Sequence, residues 1–169
     1  IPEVGICFDG LLLRGCRTTK SSASDYRGFE SPSSAPLARL GVDVKISKNV
    51  LRPKGEFSCD SRFDPNVLYV QITPGMSPYV LRQVLDAPGL NGVVISAFGL
   101  GTIPTEFRPL GPVIGDAVDR GLGVVIVTPS SGVVNFGLYK NGHPLRDAGA
   151  IPGGDMHIEA AVTKLMHGL

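Results

Sequence analysis

Three stretches of β-branched and other apolar residues, at 67–73, 92–98 and 123–128, do most to restrict the fold of this 169-residue chain. Each has the length of a strand and is apolar throughout, which is typical of strands that are covered on both faces. Helix signals follow the first two stretches, so strands and helices alternate along this part of the chain. The alternation predicts an α/β domain, a small three-layer structure with a parallel sheet between helices.

Three helix candidates accompany these strands, and each has a capping residue at its start or a glycine at its end. They span residues 77–85, 110–120 and 155–167. Pro78 directly follows the expected cap of the first helix, Ser77, and the last helix is expected to begin at Asp155 as its cap. Ligands of open parallel sheets bind beyond the carboxyl ends of the strands. The loops there, at 73–77, 99–104 and 128–132, are therefore candidate binding elements, although glycines also occur at such turns for geometry alone.

The first part of the chain predicts a β-hairpin. Short apolar runs at 4–8 and 11–14 flank Asp9 and Gly10, and Asp-Gly between apolar runs favours a type I′ turn. A lone hairpin is marginal in water. Its apolar residues therefore need a larger sheet, and the sequence leaves open whether this chain supplies it.

The residues after the hairpin carry weaker signals. A short helical turn is expected at 25–29, and the run at 36–41 ends on Gly41 in the manner of a helix with a glycine C-cap. Residues 42–46 alternate like a strand. Charges, prolines and a glycine fill 47–66, which indicates a linker or a long loop.

Composition argues against several classes of protein without excluding them. The net charge is +1, so no basic excess is present to bind a nucleic acid or another polyanion. Three cysteines without a C-x-x-C spacing favour neither a disulfide framework nor a zinc site, and a reducing compartment suits them better. No apolar run approaches the roughly 20 residues that cross a bilayer. No signal peptide is recognised, and we expect no metal.

The segment at 14–20 reads R-G-C-R-T-T-K and places two hydroxyl groups directly before one lysine, with two arginines close by. A lysine acts as a base or a proton relay where nearby cations or burial lower its pKa, and this segment offers the cations. Lys20 is therefore a candidate catalytic residue. The alternative, a basic loop in solvent, is the commoner use of such a segment.

Taken together, several segments resemble type I (cytoplasmic-type) L-asparaginases, in the correct order and over nearly the whole chain. The similar segments are IPEV (1–4), LLRGCRTTK (12–20), FESP (29–32), APLA (35–38), TPGMS (73–77), FGLG (98–101) with Pro104, Leu138 and Tyr139 with Gly142, AGAIPGGDM (148–156) and EAAVTKL (159–165). Only the region from about 48 to 66 is unmatched. Ordered agreement over many segments is more specific than any single motif.

The resemblance implies a domain organisation. Residues 1–46 are similar to the end of the family's N-terminal α/β domain, with the hairpin and the catalytic-lysine segment, and to the start of its linker. Residues 47–66 then form the linker or long loop, and residues 67–169 form the C-terminal α/β domain. The chain opens on Ile1 in strand-like sequence, so we expect a companion N-terminal chain or domain.

The resemblance also implies a function, the hydrolysis of L-asparagine to L-aspartate and ammonia through a threonine nucleophile that the absent part supplies. Lys20 stands at the family's catalytic lysine, which works in a Thr-Lys-Asp relay. Thr19 stands where several members contact a regulatory asparagine, and Gly101 and Thr102 belong to a loop that reaches a neighbouring active site in related periplasmic enzymes. The family implies no cofactor, a cytoplasmic location, and a homodimer or homotetramer. This chain alone is expected to be inactive.

Three positions depart from the family pattern. Cys16 and Thr102 stand where the family usually has asparagine, so a substrate contact from Thr102 is less secure. Ser96 stands where allosteric bacterial members have an arginine that grips the effector. Loss of that bidentate group argues against control by asparagine in this protein.

Two alternatives stay open at this point. A tRNA-dependent amidotransferase subunit uses the same scaffold to supply ammonia, and would differ in its N-terminal sequence and its partner chain. A stand-alone α/β domain without catalytic activity would share the fold alone, because function does not follow from fold.

Overall fold

A computed structural model of the chain describes residues 1–130, 132–137 and 143–169. The chain divides into two compact units, Ile1–Asp60 and Ser61–Leu169, and each is described by itself. The division lies inside the 47–66 segment, which contains no helix and no strand. None of the helices in the described ranges is long and apolar enough to cross a membrane.

The first unit contains six short strands. They are β1 (Gly5–Phe8), β2 (Leu11–Arg14), β3 (Thr19–Lys20), β4 (Phe29–Glu30), β5 (Ala38–Leu40) and β6 (Val44–Ile46). Four of them form an antiparallel sheet in the order β1-β2-β5-β6, while β3 and β4 pair with each other. Asp9 and Gly10 both have positive φ angles, 47° and 70°, as a type I′ turn requires. The predicted hairpin is therefore confirmed.

Few apolar side chains of the first unit are buried. Among its described residues, the fully buried apolar side chains are those of Leu13, Leu37 and Ala38. Several β-branched and aliphatic residues of the same unit are exposed, namely Val4, Leu40, Val42, Val44, Ile46 and Leu51. This unit therefore has a small group of buried apolar side chains and a large exposed apolar surface.

The second unit is a three-layer α/β structure, as the sequence predicts. Its strands are β7 (Val67–Gln71), β8 (Gly92–Ser96), β9 (Gly123–Val127) and β10 (Ile151–Pro152), and its helices are α1 (Pro78–Leu85), α2 (Gly111–Asp119), α3 (His143–Asp147) and α4 (Ile158–Gly168). The sheet order is β10-β9-β8-β7, and each strand is parallel to its neighbour.

Alternate residues of the central strands serve the two helical layers. Val93 and Ile95 of β8 belong to a core cluster with residues of α1, α2 and α3, whereas Val94 belongs to a cluster with α4. Tight contacts close the α4 layer, because a Cβ on Gly92 would lie 2.9 Å from Leu165 Cδ2. The apolar strands are thus covered on both faces, which confirms the predicted class.

Two of the weaker predictions for the first unit are wrong. Residues 38–40 form β5 instead of a helix, because β2 and β6 offer backbone partners on both sides, and Gly41 does not adopt the positive φ of a helix C-cap. Residues 25–29 do not form a helical turn. Ser22 Oγ accepts the backbone N–H groups of Ser24 and Asp25 instead, a local alternative to helical hydrogen bonding.

The last helix begins later than predicted. α4 starts at Ile158 with His157 as its N-cap residue, so Asp155 is not the cap. The Gly153 N–H donates to Ile126 O at 2.7 Å, and Val134 pairs with Gly154, whose φ is +63°. These contacts with distant segments hold residues 153–154 out of a helical conformation.

Candidate functional site

Lys20 lies on a two-residue strand that pairs with Phe29 and Glu30. Thr19 is opposite Glu30, and Lys20 is opposite Phe29, in an antiparallel register. Directly opposed residues share a face, and adjacent residues of a strand point to opposite faces. Thr19 and Lys20 therefore serve different sides of β3.

The amine of Lys20 is positioned by an aromatic ring. Its Nζ lies 4.7 Å from the centre of the Phe29 ring, within the range of a cation–π contact. Nζ is also close to the backbone at the buried Gly28, where an added Cβ would lie 3.3 Å from it. Lys20 itself is exposed. Phe29 and Gly28 thus define where the amine sits, while one side of it remains open.

The segment before Lys20 is anchored by a buried hydroxyl group. Thr18, 8% exposed, donates from Oγ1 to Arg14 O at 2.7 Å, and its Oγ1 lies 3.0 Å from Ser31 Oγ. These contacts fasten the segment to both β2 and the residues after β4. The position of β3 is therefore set by Thr18, one of the two hydroxyl residues noted before Lys20, to which the sequence analysis gave no role of its own.

Arg14, one of the two arginines in the segment before Lys20, is paired with a carboxylate. Its guanidinium contacts both carboxylate oxygens of Glu3, at 2.5 and 3.2 Å, and donates to Asn49 O at 2.8 Å. The hydrogen bond from Arg14, together with one from the Leu51 backbone N–H, lowers the pKa of Glu3. Arg14 thus connects residues near the start and the end of the first unit.

Gly101 and Thr102 lie in the second unit, at the carboxyl end of β8. The backbone turns sharply between Phe98 and Thr102, which form an isolated antiparallel bridge. Gly99 and Gly101 have φ angles of +49° and +100°, a region that suits glycine. Thr102 Oγ1 donates to Phe98 O at 3.2 Å, so this hydroxyl is engaged within its own loop.

The underside of this loop is packed against the following segment of the chain. A Cβ on Gly101 would lie 2.7 Å from Val134 Cγ1, and a Cβ on Gly132 would lie 2.8 Å from Leu100 Cδ2. Gly101 is buried and Thr102 is half-buried. Gly101 is therefore a close-packing residue, while Thr102 is the partly accessible one.

The three candidate loops do lie beyond the carboxyl ends of the strands, and side chains connect them. Arg108 donates to Gly75 O at 2.8 Å, and the Thr128 hydroxyl donates to Gly99 O. Ser131, in the third loop, and the similar residues Leu138, Tyr139 and Gly142 fall outside the described residues. Thr128 was not singled out from the sequence, because a hydroxyl after a strand is common.

Two buried polar atoms lie near the start of α4 and the end of β8. Ser96 Oγ and His157 Nε2 have no hydrogen-bond partner among the described residues. Ser96, which stands where allosteric family members have an effector-binding arginine, is 1% exposed. Its hydroxyl group is therefore not accessible to an effector in solvent. His157 is half-buried, and its Nε2 atom is out of contact with solvent.

The predicted residues form two groups. Thr19 and Lys20 are neighbours on β3 in the first unit, and Gly101 and Thr102 are neighbours in a loop of the second. In the described parts of the chain, no group of three or more His, Cys, Asp or Glu residues could hold a metal ion. Hydroxyl groups, one amine and backbone groups are the chemistry that these two regions offer.

Comparisons with known proteins identify relatives of both units of the chain. Residues 66–169 match the family model described as "Glutaminase/Asparaginase C-terminal domain", and residues 1–52 match "Asparaginase, N-terminal". The chain is 36% identical to L-asparaginase 1 of Escherichia coli K12 over 168 residues, which cover 98% of this chain and 49% of that protein. It is 35% identical to a subunit of the glutamyl-tRNA(Gln) amidotransferase of Methanopyrus kandleri, over 99% of this chain and 39% of that protein.

A solved structure has the same fold. The thermostable L-asparaginase from Thermococcus kodakarensis superposes with a TM-score of 0.92 at 34% identity, over 98% of this chain and 50% of that one. The chain thus spans about half the length, or less, of these relatives. The C-terminal family model matches more than half of the chain, and the N-terminal model matches its first 52 residues. The chain therefore belongs to the asparaginase family.

Proposed function

We propose that this chain forms part of a type I L-asparaginase, which hydrolyses L-asparagine to L-aspartate and ammonia. The observation that carries the proposal is the fixed position of the Lys20 amine, on the ring of Phe29, in a chain of the asparaginase family. The nucleophile in this proposal is a threonine on polypeptide outside these 169 residues. Thr19 and Thr102 are engaged elsewhere or lie on another face from Lys20.

Lys20 acts in this mechanism as a proton carrier. The amine takes the hydroxyl proton of the threonine while the threonine oxygen bonds to the amide carbon of asparagine. The proton then passes to the departing nitrogen as the C–N bond breaks, and ammonia leaves. Water hydrolyses the resulting ester and restores the threonine. The Phe29 ring stabilises the positive charge on the amine between these two transfers.

A companion polypeptide is part of the proposal, and the first unit supports it. Val4, Val44 and Ile46 are 86, 62 and 62% exposed, although they are apolar and lie on or beside strands. Exposed apolar surface of this kind marks a contact with other protein. The open side of Lys20 belongs to the same unit, so the polypeptide that covers the strands is also placed to bring a hydroxyl group to the amine.

Compartment and assembly follow as further parts of the proposal. Cys7, Cys16 and Cys59 are all free and exposed, which suits a reducing compartment such as the cytoplasm. We infer that the enzyme works there as a homodimer or homotetramer, as its resemblance to type I L-asparaginases implies. Light scattering of the purified protein would distinguish these assemblies from a monomer.

The test of the proposed reaction uses the protein expressed from its complete coding sequence. Lys20→Met, which keeps the length of the side chain and removes the amine, is expected to lower kcat for asparagine by about 10²–10⁴-fold. Ammonia release measures the rate, and circular dichroism shows that the variant is folded. Lys45→Met is the matched control, because Lys45 is also exposed on a strand of the first unit.

Near-normal kcat in a folded Lys20→Met variant, or equal losses in both variants, would refute the assigned role. Residues 1–169 alone are expected to release no ammonia from asparagine, since the proposed nucleophile is absent from them. Activity of these residues by themselves at an enzymic rate would place the nucleophile inside the chain and overturn that part of the proposal.

The second candidate is a subunit of a tRNA-dependent amidotransferase, which the similarity to the Methanopyrus kandleri protein favours. Such a protein would release ammonia from an amide donor for transfer to a charged tRNA. Ammonia release from asparagine and glutamine, each measured with and without charged tRNA and the partner subunit, separates the two. Activity that needs neither addition supports the asparaginase, and no activity under any of these conditions supports a domain without catalytic function.

A further inference from the structure

The hydroxyl group of Thr128 joins two loops at the carboxyl edge of the second unit's sheet. Thr128 directly follows β9 and is 7% exposed. Its Oγ1 donates to the carbonyl oxygen of Gly99 and accepts the backbone N–H of Ser130 at 3.2 Å. One buried hydroxyl thus holds the loop after β8 and the loop after β9 at the same point.

The loop from 99 to 104 depends on such contacts. Gly99 and Gly101 both have positive φ angles, and glycine has more backbone freedom to lose than any other residue. The bridge between Phe98 and Thr102 closes the loop on itself, and Val134 packs beneath Gly101. Among the described residues, Thr128 supplies the side-chain hydrogen bond to Gly99, at the exposed start of the turn.

We propose that Thr128 is a positioning residue that orders this loop, and through it the contacts that Gly101 and Thr102 make with substrate. The proposal rests on the proposed function for its second half. Its first half, the ordering of the loop, concerns the fold of the second unit alone. Thr128 touches no reacting atom in this account and acts through Gly99.

Removal of the hydroxyl leaves two backbone groups without their partner. Valine has nearly the shape of threonine, so Thr128→Val removes the hydroxyl partner of Gly99 O and of Ser130 N–H; Thr128 is buried, whereas Gly99 and Ser130 are exposed. The loop then populates other conformations, and only a fraction of the molecules present the bound geometry. In this proposal the loop contacts the substrate equally in the ground state and in the transition state, so the expected effect is on KM.

The experiment compares three variants of the protein expressed from its complete coding sequence. Thr128→Val is expected to raise KM for asparagine about three- to tenfold, with kcat within about twofold of the parent, and Thr128→Ser is expected to restore both. Thr163→Val is the matched control, because Thr163 donates to Glu159 O at 2.8 Å on the exposed face of α4, away from the loops. Backbone hydrogen exchange over residues 98–104 is measured in every variant.

Faster exchange in Thr128→Val, together with raised KM and rescue by serine, supports the proposal. Unchanged exchange overturns it, since the hydroxyl then does not order the loop. Faster exchange with unchanged KM overturns its second half, because the loop then makes no contact on which binding depends. A parent protein without asparaginase activity refutes the proposed function, while the exchange comparison still decides whether Thr128 orders the loop.

Discussion

The two units of this chain differ in how much of their apolar surface they bury by themselves. The second unit covers both faces of its sheet with helices, and Val93, Val94 and Ile126 are 0% exposed. The first unit has a sheet of similar strand number, yet Val44 and Ile46 remain mostly exposed. Strand formation alone therefore does not make a core, because a second layer is needed to remove both faces from water.

The difference also separates two kinds of functional region. In the second unit the candidate loops are fixed by side-chain bonds and glycine packing on a closed core. In the first unit Lys20 is fixed from one side, by Phe29 and Gly28, and is open on the other. A rigid scaffold therefore carries the loops, while the catalytic candidate sits where other polypeptide has access to it.

The largest predicted effect tests the comparison of cores directly. Ile126→Ala should lower the free energy of unfolding of the second unit by about 2–5 kcal/mol, because it leaves a cavity in a closed core. Ile46→Ala, at an exposed position of the first unit, should change it by less than about 0.5 kcal/mol in residues 1–169 alone. Urea unfolding followed by circular dichroism measures both, since the chain has no tryptophan.

The Ile46 variant also sharpens the proposal of a covered face. In the protein expressed from its complete coding sequence, Ile46→Ala should become more destabilising than it is in residues 1–169 alone, if the proposed companion polypeptide buries the side chain. Equal small effects in both contexts would contradict burial of Ile46 by companion polypeptide.

The next effect concerns the close packing of the loop in the second unit. Gly101→Ala should destabilise the protein by about 1–3 kcal/mol, since the new Cβ is strained at a φ of +100° and lies 2.7 Å from Val134 Cγ1. Gly75→Ala is the matched control, because Gly75 has a φ of +80° with no atom within 4 Å of an added Cβ. Thermal unfolding should show a larger loss for position 101, and equal losses would mean that strain alone explains both.

The smallest effect is the pH dependence of the first unit. The pKa of Glu3 is lowered by its hydrogen bond from Arg14, so its stabilising contribution is complete above the ordinary value of 4.5 and is lost as the pH falls through the lowered pKa. Glu3→Gln should therefore lower the melting temperature at neutral pH and flatten its fall below pH 4.5. A parallel acid profile for parent and variant would show that the pair does not stabilise the fold.

Sequence patterns predicted the second unit well, for a physical reason. Its central strands are apolar throughout, and Ser77 with Pro78 marks the start of α1 without reference to other segments. Residues 36–41 were misread because their strand is decided by pairing with β2, which lies far back in the sequence. Asp155 failed as a cap for a similar reason, since the bond from Gly153 to Ile126 is a tertiary contact.

The candidate site also contains residues that the sequence identified and a neighbour that it did not. Lys20 was identified through the cations and hydroxyl groups of its segment and through the resemblance of that segment to a known family. Gly101 and Thr102 were identified through that resemblance and their place after a strand. Phe29 was not identified as the neighbour of Lys20, because the register of β3 and β4 determines which side chains share a face. A resemblance thus names a residue, whereas its surroundings depend on strand pairing that a single sequence does not specify.

The packing of Gly101 against Val134 restricts which substitutions this loop can accept. A side chain at position 101 has no room, and the Leu100 side chain packs against Gly132. Position 102 is half-buried and carries a short hydroxyl side chain. A mutant library aimed at altered amide selectivity should therefore randomise residue 102 and leave its two predecessors as they are.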